Sequence, residues 1–501
     1  MTVSSINARS TQMLQSLVSL RSQLDDLNRQ ISTGKKSDTY AGLGVQRGVS
    51  ITLRSQLAAI ESYDASGQTA STRINLAQTA LTSMAKVVSD TKAAMFQATN
   101  VSGVGGASQV QSSAKFSLDE LTGLLNTQVG GRYIFAGKQT DKPAVESSSN
   151  ILNGDGARAG LVQIINERKQ ADLGSDGLGR LDVTNPTLSS LNIAEEAVSP
   201  FGFKLASVTS NLTNVVVNGP TGSPATLDVN LGSGNPNDGE SLTVRLTLPD
   251  GTSTSVTLKA TTASPAGPGQ FTIGTLPSDT TANLTTALTA ALKKAGGTEL
   301  TAASAVQASN EFFNADANHP PVRVDGPPFD SATATKLGSS ADTVIWYTGD
   351  AGSDPARQTA TALVDPTLSV GYGVRANEQG LRSVVQNVAT LAAVSISSTD
   401  PNGVDLSQAL NTRLTAGLNG KPGDQKLSDV TTDLANAQIS INSAKSRHTQ
   451  QNTTLQEFLT QIEGVSDTEV GAQILALQTR LQASMQVTAM TYQTSLVNYL
   501  K

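Results

Sequence analysis

The chain has 501 residues, of which 38% are hydrophobic and 4% aromatic; this length and composition exclude large aromatic cores and predict about three modules with thin, elongated interiors. Its 35 Lys and Arg against 41 Asp and Glu leave a net charge of −6, which disfavours nucleic acid and anionic membranes as partners. No cysteine is present, so disulfides, cysteine nucleophiles and thiolate metal sites are excluded.

The amino end, MTVSSINARSTQMLQSL, lacks a hydrophobic core followed by a small-residue cleavage site. No apolar run approaches the roughly 20 residues needed to cross a bilayer. Export is therefore expected to use no cleavable signal peptide.

Proline divides the chain. All 18 prolines fall between Pro143 and Pro422, and because proline breaks helices, both flanks are free to form long ones. In the first flank Ile6, Met13, Leu20 and Leu27 recur every seven residues, interleaved by Ser10, Leu17, Leu24 and Ile31, which is the spacing of a coiled-coil seam. Gly34, Gly42, Gly44 and Gly48 interrupt it. Leu53, Ile60, Ile74, Leu81, Val88 and Met95 then restore the spacing, with a break at Gly67. The Gly-rich segment from Ser102 to Ala107 is expected to end this second helix. Phe116, Leu118, Leu121, Leu124 and Leu125 predict another short helix before Gly130.

The middle changes period. Leu227, Val229 and Leu231 read as a strand, and Leu242, Val244, Leu246 and Leu248 alternate with polar residues up to Pro249-Asp250-Gly251, after which Val256 and Leu258 resume. That pattern predicts a β-hairpin, and Ala282 to Ala295 a short helix. The hairpin is expected to be dispensable for assembly. The last flank returns to helical spacing, with Leu434, Ile441, Leu455, Leu459 and Ile462 before a break at Gly464, and Ile474, Leu477, Leu481, Met485, Tyr492, Leu496 and Tyr499 beyond it. Neither terminal stripe can bury itself alone, so the two chain ends are expected to pair.

The expected class is α+β: a long α-helical, coiled-coil base of paired amino- and carboxy-terminal helices under a mostly β, outward-facing middle. The expected domains are 1–140, 141–375 and 376–501, the first and last helical. The residues expected to carry helix pairing and assembly are Met13, Leu17, Leu20, Leu24, Leu27 and Ile31, with Leu477, Leu481, Met485, Leu496 and Tyr499.

Catalysis has little to work with. The two histidines, His319 and His448, are too far apart for a helical zinc pair and are expected to be solvated or capping. Gly42, Gly44 and Gly48 miss the dinucleotide fingerprint by one position, while Gly131, Gly137 and Lys138 miss the phosphate loop and have Gln139 in place of its hydroxyl, so both sets are turn glycines. No enzyme activity, cofactor or metal is expected.

At Ser32 the segment STGKKSDTYAGLG resembles the helix–loop signature of flagellins, and the closing segment GAQILALQTRLQASMQVTAMTYQTSLVNYL resembles flagellin carboxy termini. The resemblance covers about residues 1 to 140 and 370 to 501. GRYIFAGKQTDKPAV from Gly131 resembles the hook–filament junction branch of this family, and DTVIWYTGD from Asp342 with VGYGVRANEQG from Val370 resembles alphaproteobacterial members. The long middle is larger than a compact junction protein requires and favours a filament flagellin. A surface adhesin that binds glycan through its middle is the reading from another class.

The resemblance implies an extracellular structural subunit of the bacterial flagellum, needed for swimming. Its implied partners are copies of itself and the hook, junction and filament proteins, with an export chaperone and the flagellar type III export apparatus on the way out. Around Lys92, VSDTKAAMFQAT lacks the Arg-Glu-Leu pattern by which many flagellins are sensed by innate immune receptors, which implies weak stimulation.

Overall fold

The computed structural model describes residues 3–100, 104–397 and 399–499. In chain order the first elements are helices α1 (Val3–Thr33), α2 (Arg47–Asn100) and α3 (Val104–Leu125), then a two-stranded turn β1 (Gln128–Val129) and β2 (Arg132–Tyr133), then α4 (Ser148–Asn153) and α5 (Leu161–Leu173). Strands β3 (Leu181–Thr187), β4 (Ser190–Glu195), β5 (Lys204–Ser210), β6 (Val216–Thr221), β7 (Thr226–Asn230), β8 (Ser241–Thr247), β9 (Ser253–Thr261) and β10 (Gln270–Thr272) follow. Then come α6 (Pro277–Ala295), α7 (Thr301–Phe313), β11 (Val322–Val324), β12 (Thr335–Leu337), β13 (Thr361–Asp365) and β14 (Leu368–Gly371). Helices α8 (Gln379–Ala393), α9 (Gly403–Asn419), α10 (Leu427–Glu463) and α11 (Asp467–Tyr499) complete the chain. The class is α+β, with long helices at both ends and a sheet-rich middle.

The chain divides into two compact units. One comprises residues 1–69, 363–370 and 439–501, and the other residues 70–362 and 371–438.

Within the first unit α1 packs along α11, and residues 47–69 of α2 accompany residues 439–463 of α10. Gly67 does not break α2. It is buried and continues the stripe of Leu53 and Ile60, and a Cβ built on it would lie 3.2 Å from Ile441 Cγ2 and 3.6 Å from Val364 Cγ1. The absence of a side chain there admits its neighbours at close range.

In the second unit the sequence expectations hold for the hairpin. β8 and β9 pair antiparallel, Leu242 opposite Leu258 and Val244 opposite Val256, and Gly251 takes φ +78° at the end of a three-residue Pro-Asp-Gly loop. The expected strand at Leu227 is β7, and the expected helix at Ala282 is α6, which starts earlier at Pro277. Two four-stranded sheets, β3-β4-β7-β6 and β10-β9-β8-β5, share one core with α6. Leu191, Ile193, Leu227 and Val229 face that core from the first sheet; Leu242, Val244, Leu246 and Leu258 from the second; Leu284, Leu288 and Leu292 from α6. The hairpin is therefore central to this core, because alternation places every second residue inward. Its turn is anchored too: Asp250, 3% exposed, pairs at 2.9 Å with Arg413 of α9.

The helical part of this unit is built on α3 against α8, α5 against α7, and α8 against α9. α3 starts at Val104, so Gly105, Gly106 and Ala107 are helical and the helix is longer than expected, while Ser102 lies outside the described residues. Leu118, Leu121 and Leu125 are fully buried; Phe116, by contrast, is off that stripe and 78% exposed.

Candidate assembly site at the paired chain ends

The two terminal helices meet along an incomplete seam. Met13, Leu17, Leu20, Leu24 and Leu27 of α1 are half-buried, none fully, and across the pairing Leu477 is buried and Leu481 half-buried. Thr488 Oγ1 reaches to within 4.0 Å of Met13 Sδ. Ile31 and Met485 are not brought into the pair: they are 41% and 49% exposed. The side chains of Leu496 and Tyr499 lie outside the described residues, as does that of Ile6. Five further apolar residues, Leu14 and Val18 on α1 and Leu475, Val487 and Met490 on α11, are exposed although the seven-residue stripe left them out. Their signal in the sequence is a second apolar face on each helix, which a single partner cannot cover.

Beyond the seam the two helix breaks face each other. Gly34 ends α1 with φ +67°, its amide donating to Gln30 O at 2.8 Å, the left-handed cap that glycine adopts without strain. Lys35 then pairs antiparallel with Gly464, the break between α10 and α11. Lys36 N donates to Glu463 O at 2.7 Å, and Val465 N donates to Gly34 O at 3.1 Å. The Lys36 ammonium donates to Gln461 O and Ile462 O, both at 3.1 Å. These are among the carbonyls that the end of α10 leaves without helical partners, and a cation there complements the helix dipole.

Glu463 locks the clasp. Its carboxylate accepts from Arg54 Nε at 3.0 Å and Arg54 Nη2 at 2.6 Å, and from the buried Ser50 hydroxyl. The Arg54 hydrogen bonds hold its carboxyl below the ordinary value of 4.5, burial working against them and Ser50 adding to them. On the α1 side Arg29 pairs with Asp26 at 2.6 Å and Asp38 at 3.0 Å, bracing the loop.

Replacing Glu463 by Gln is expected to lower stability by about 1–2 kcal/mol at neutral pH, a figure discounted because Arg54 is partly solvated. A carboxyl with a depressed folded value contributes stability that is present above its unfolded value and lost as pH falls through the folded one. The difference between wild type and variant in chemical denaturation should therefore shrink as pH falls below the ordinary carboxyl value. Equal stability at pH 7 would show that the clasp contributes nothing.

The histidines divide. His319 is exposed, with Nδ1 2.9 Å from Asp316 Oδ1 in its own loop. His448 is neither solvated nor capping: its side chain is 2% exposed, with Nδ1 2.7 Å from Asp64 Oδ1. Helical spacing alone did not disclose this, because its neighbours on α10 are polar. Of the glycines expected in turns, Gly44, Gly131 and Gly137 take positive φ, whereas Gly42 lies in a short 3-10 helix without it and Gly48 is already within α2. No helix among the described residues is long and apolar enough to cross a membrane.

The elements running from α1 through α2 and α3 to the β1–β2 turn are the ones that known proteins share. Residues 5–140 match the bacterial flagellin N-terminal helical region. That match covers about a quarter of the chain. It includes half of the clasp: Arg29, Gly34, Lys36, Ser50 and Arg54 fall inside the flagellin-like stretch, and Glu463 and Gly464 far outside it. Among curated proteins none matches the chain.

Proposed function

We propose that the chain is a structural subunit of the bacterial flagellum, needed for swimming, which leaves the cell unfolded through the flagellar export channel and polymerises through its terminal helices. The observation that carries this is the half-buried seam of α1 and α11. Its α1 side lies in the flagellin-like stretch, with apolar residues such as Val18 of α1 and Met490 of α11 still 69% and 65% exposed. Heterologous contacts between such faces repeat without closing and generate helical assemblies. Each residue buried on assembly would add about 1.5–3 kcal/mol. The partners are copies of the chain and the other axial proteins, with an export chaperone and the type III export apparatus before assembly. In this reading residues 1–140 and 376–501 form the polymerising base and 141–375 the outward insertion.

Among the axial proteins the hook–filament junction protein of alphaproteobacterial type is our preferred identity, on the resemblance of GRYIFAGKQTDKPAV. The length of the middle favours a filament flagellin as the second reading. Labelling the protein on intact flagella separates them: a single band beside the hook is expected, and continuous decoration would overturn the junction assignment in favour of the filament.

A further inference from the structure

A narrow groove in the second unit is formed where three stretches meet: Arg73 on α2, Arg132, Tyr133 and Thr140 at and after β2, and Tyr372 after β14. No Asp or Glu lines it. Arg73 is half-buried, and its Nε–H is shut off from solvent with no acceptor in reach. Among the described residues the exposed Arg132 guanidinium and the hydroxyls of Tyr133 and Tyr372 also lack a hydrogen-bond or ion-pair partner. Elsewhere in this unit Arg168, Arg323, Arg357 and Arg413 each meet a carboxylate. A buried donor left unsatisfied destabilises the fold, so the groove is short of an acceptor.

Arginine only donates, so the group that completes the groove is an anion. A carboxylate suits it best, since its oxygens take parallel N–H bonds from a guanidinium and keep lone pairs for a phenol beside it. The space inside is about that of one functional group, too small for a nucleotide or a sugar ring but sufficient for the tip of a side chain. The chain itself carries such tips in excess, with 41 Asp and Glu against 35 Lys and Arg. We propose that this groove receives an Asp or Glu side chain from a second copy of the chain, held by Arg73 and Arg132. The contact belongs to the second unit, whereas the α1–α11 seam belongs to the first. The choice of a second copy as the source rests on the polymerising reading above.

Sedimentation of the purified full-length subunit over a range of concentrations tests this and needs no flagella. Wild type is expected to self-associate. The double variant Arg73→Gln, Arg132→Gln should need about tenfold more protein to associate to the same degree, the size of one charge-assisted hydrogen bond. Arg132→Gln alone changes only an exposed side chain, so it keeps the fold and should shift association in the same direction. As a control, Arg245→Gln with Lys259→Gln removes two exposed positive charges from β8 and β9 and should leave association at the wild-type level. A wild type that stays monomeric at every concentration would overturn the proposal. So would groove variants that associate like wild type, which would leave water as the partner of Arg73, or a control that weakens association as much as they do. Wild type that associates through the groove yet does not add to sheared flagella would uphold the groove and overturn the flagellar reading instead.

Discussion

A chain lacking residues 1–31 is expected not to enter flagella, and no normal flagellum should form from it. The seam explains the size of the effect. Met13, Leu17, Leu20, Leu24 and Leu27 are the apolar residues that α1 brings against α11, and without them Leu477 and Leu481 lose their cover. Isolated helices are marginal in water, so α11 without its partner has little reason to stay ordered. Truncation could also act on export. Adding purified truncated subunit to sheared flagella removes that step, and growth of those flagella would refute the role of α1. Deleting the hairpin from Leu242 to Leu258 is no longer the right contrast, because it removes the middle of the two-sheet core and should unfold it. A better one follows from the chain's own geometry. A Cβ at Gly296 would lie 2.8 Å from Gly177 O, so the chain enters and leaves the lobe at one place. Excising residues 178–295 and closing the gap with a short Gly/Ser linker should leave incorporation intact.

What the sequence disclosed follows from what each physical signal can report. Proline exclusion and a seven-residue period survive in any long helix, so the α+β layout and the breaks at Gly34 and Gly464 were legible. That those two breaks pair with each other was not, since nothing local links residues more than 400 positions apart. Gly67 misled for a similar reason: a missing side chain looks like an interruption until the neighbour filling the space, Ile441, is known. The core helices α5 and α7 were not singled out at all. In α7 Ala302, Ala303, Ala305, Ala308, Phe312 and Phe313 are all buried together with Thr301, Ser304 and Ser309, so small polar residues on the buried side blur the contrast with Gln307, Asn310 and Glu311. Along the α1–α11 seam the inward-facing residues were legible, but Val18 and Met490, which the stripe omits, are more exposed than Ile31 or Met485, the most exposed of the described residues expected to carry pairing.

Charge buried between α5 and α7 sets the last expectation. Arg168 of α5 is 4% exposed; its Nε donates to Asp172 at 2.8 Å, Nη1 to Glu311 at 3.1 Å and Nη2 to Pro200 O at 3.0 Å. Its guanidinium also stands 5.0 Å from the ring centroid of Phe201. Asp172, fully buried, accepts a second bond from Gly202 N at 2.9 Å. Burial pushes the carboxyls of Asp172 and Glu311 upward, and the Arg168 charge pulls both back. Arg168→Met keeps most of the alkyl stem while removing that opposing charge, leaving two carboxylates uncompensated, and should cost about 3–5 kcal/mol at pH 7.5. An acid whose folded value is raised contributes stability that is present below its unfolded value and lost as pH rises through the folded one. The variant's two carboxyls, freed from Arg168, rise further and take up protons sooner than in wild type. The deficit should therefore shrink as pH falls toward about 5. Denaturant titrations of both proteins at pH 5 and 7.5 decide it: a deficit of the same size at both values would assign the loss to packing around Phe201 and not to unpaired charge.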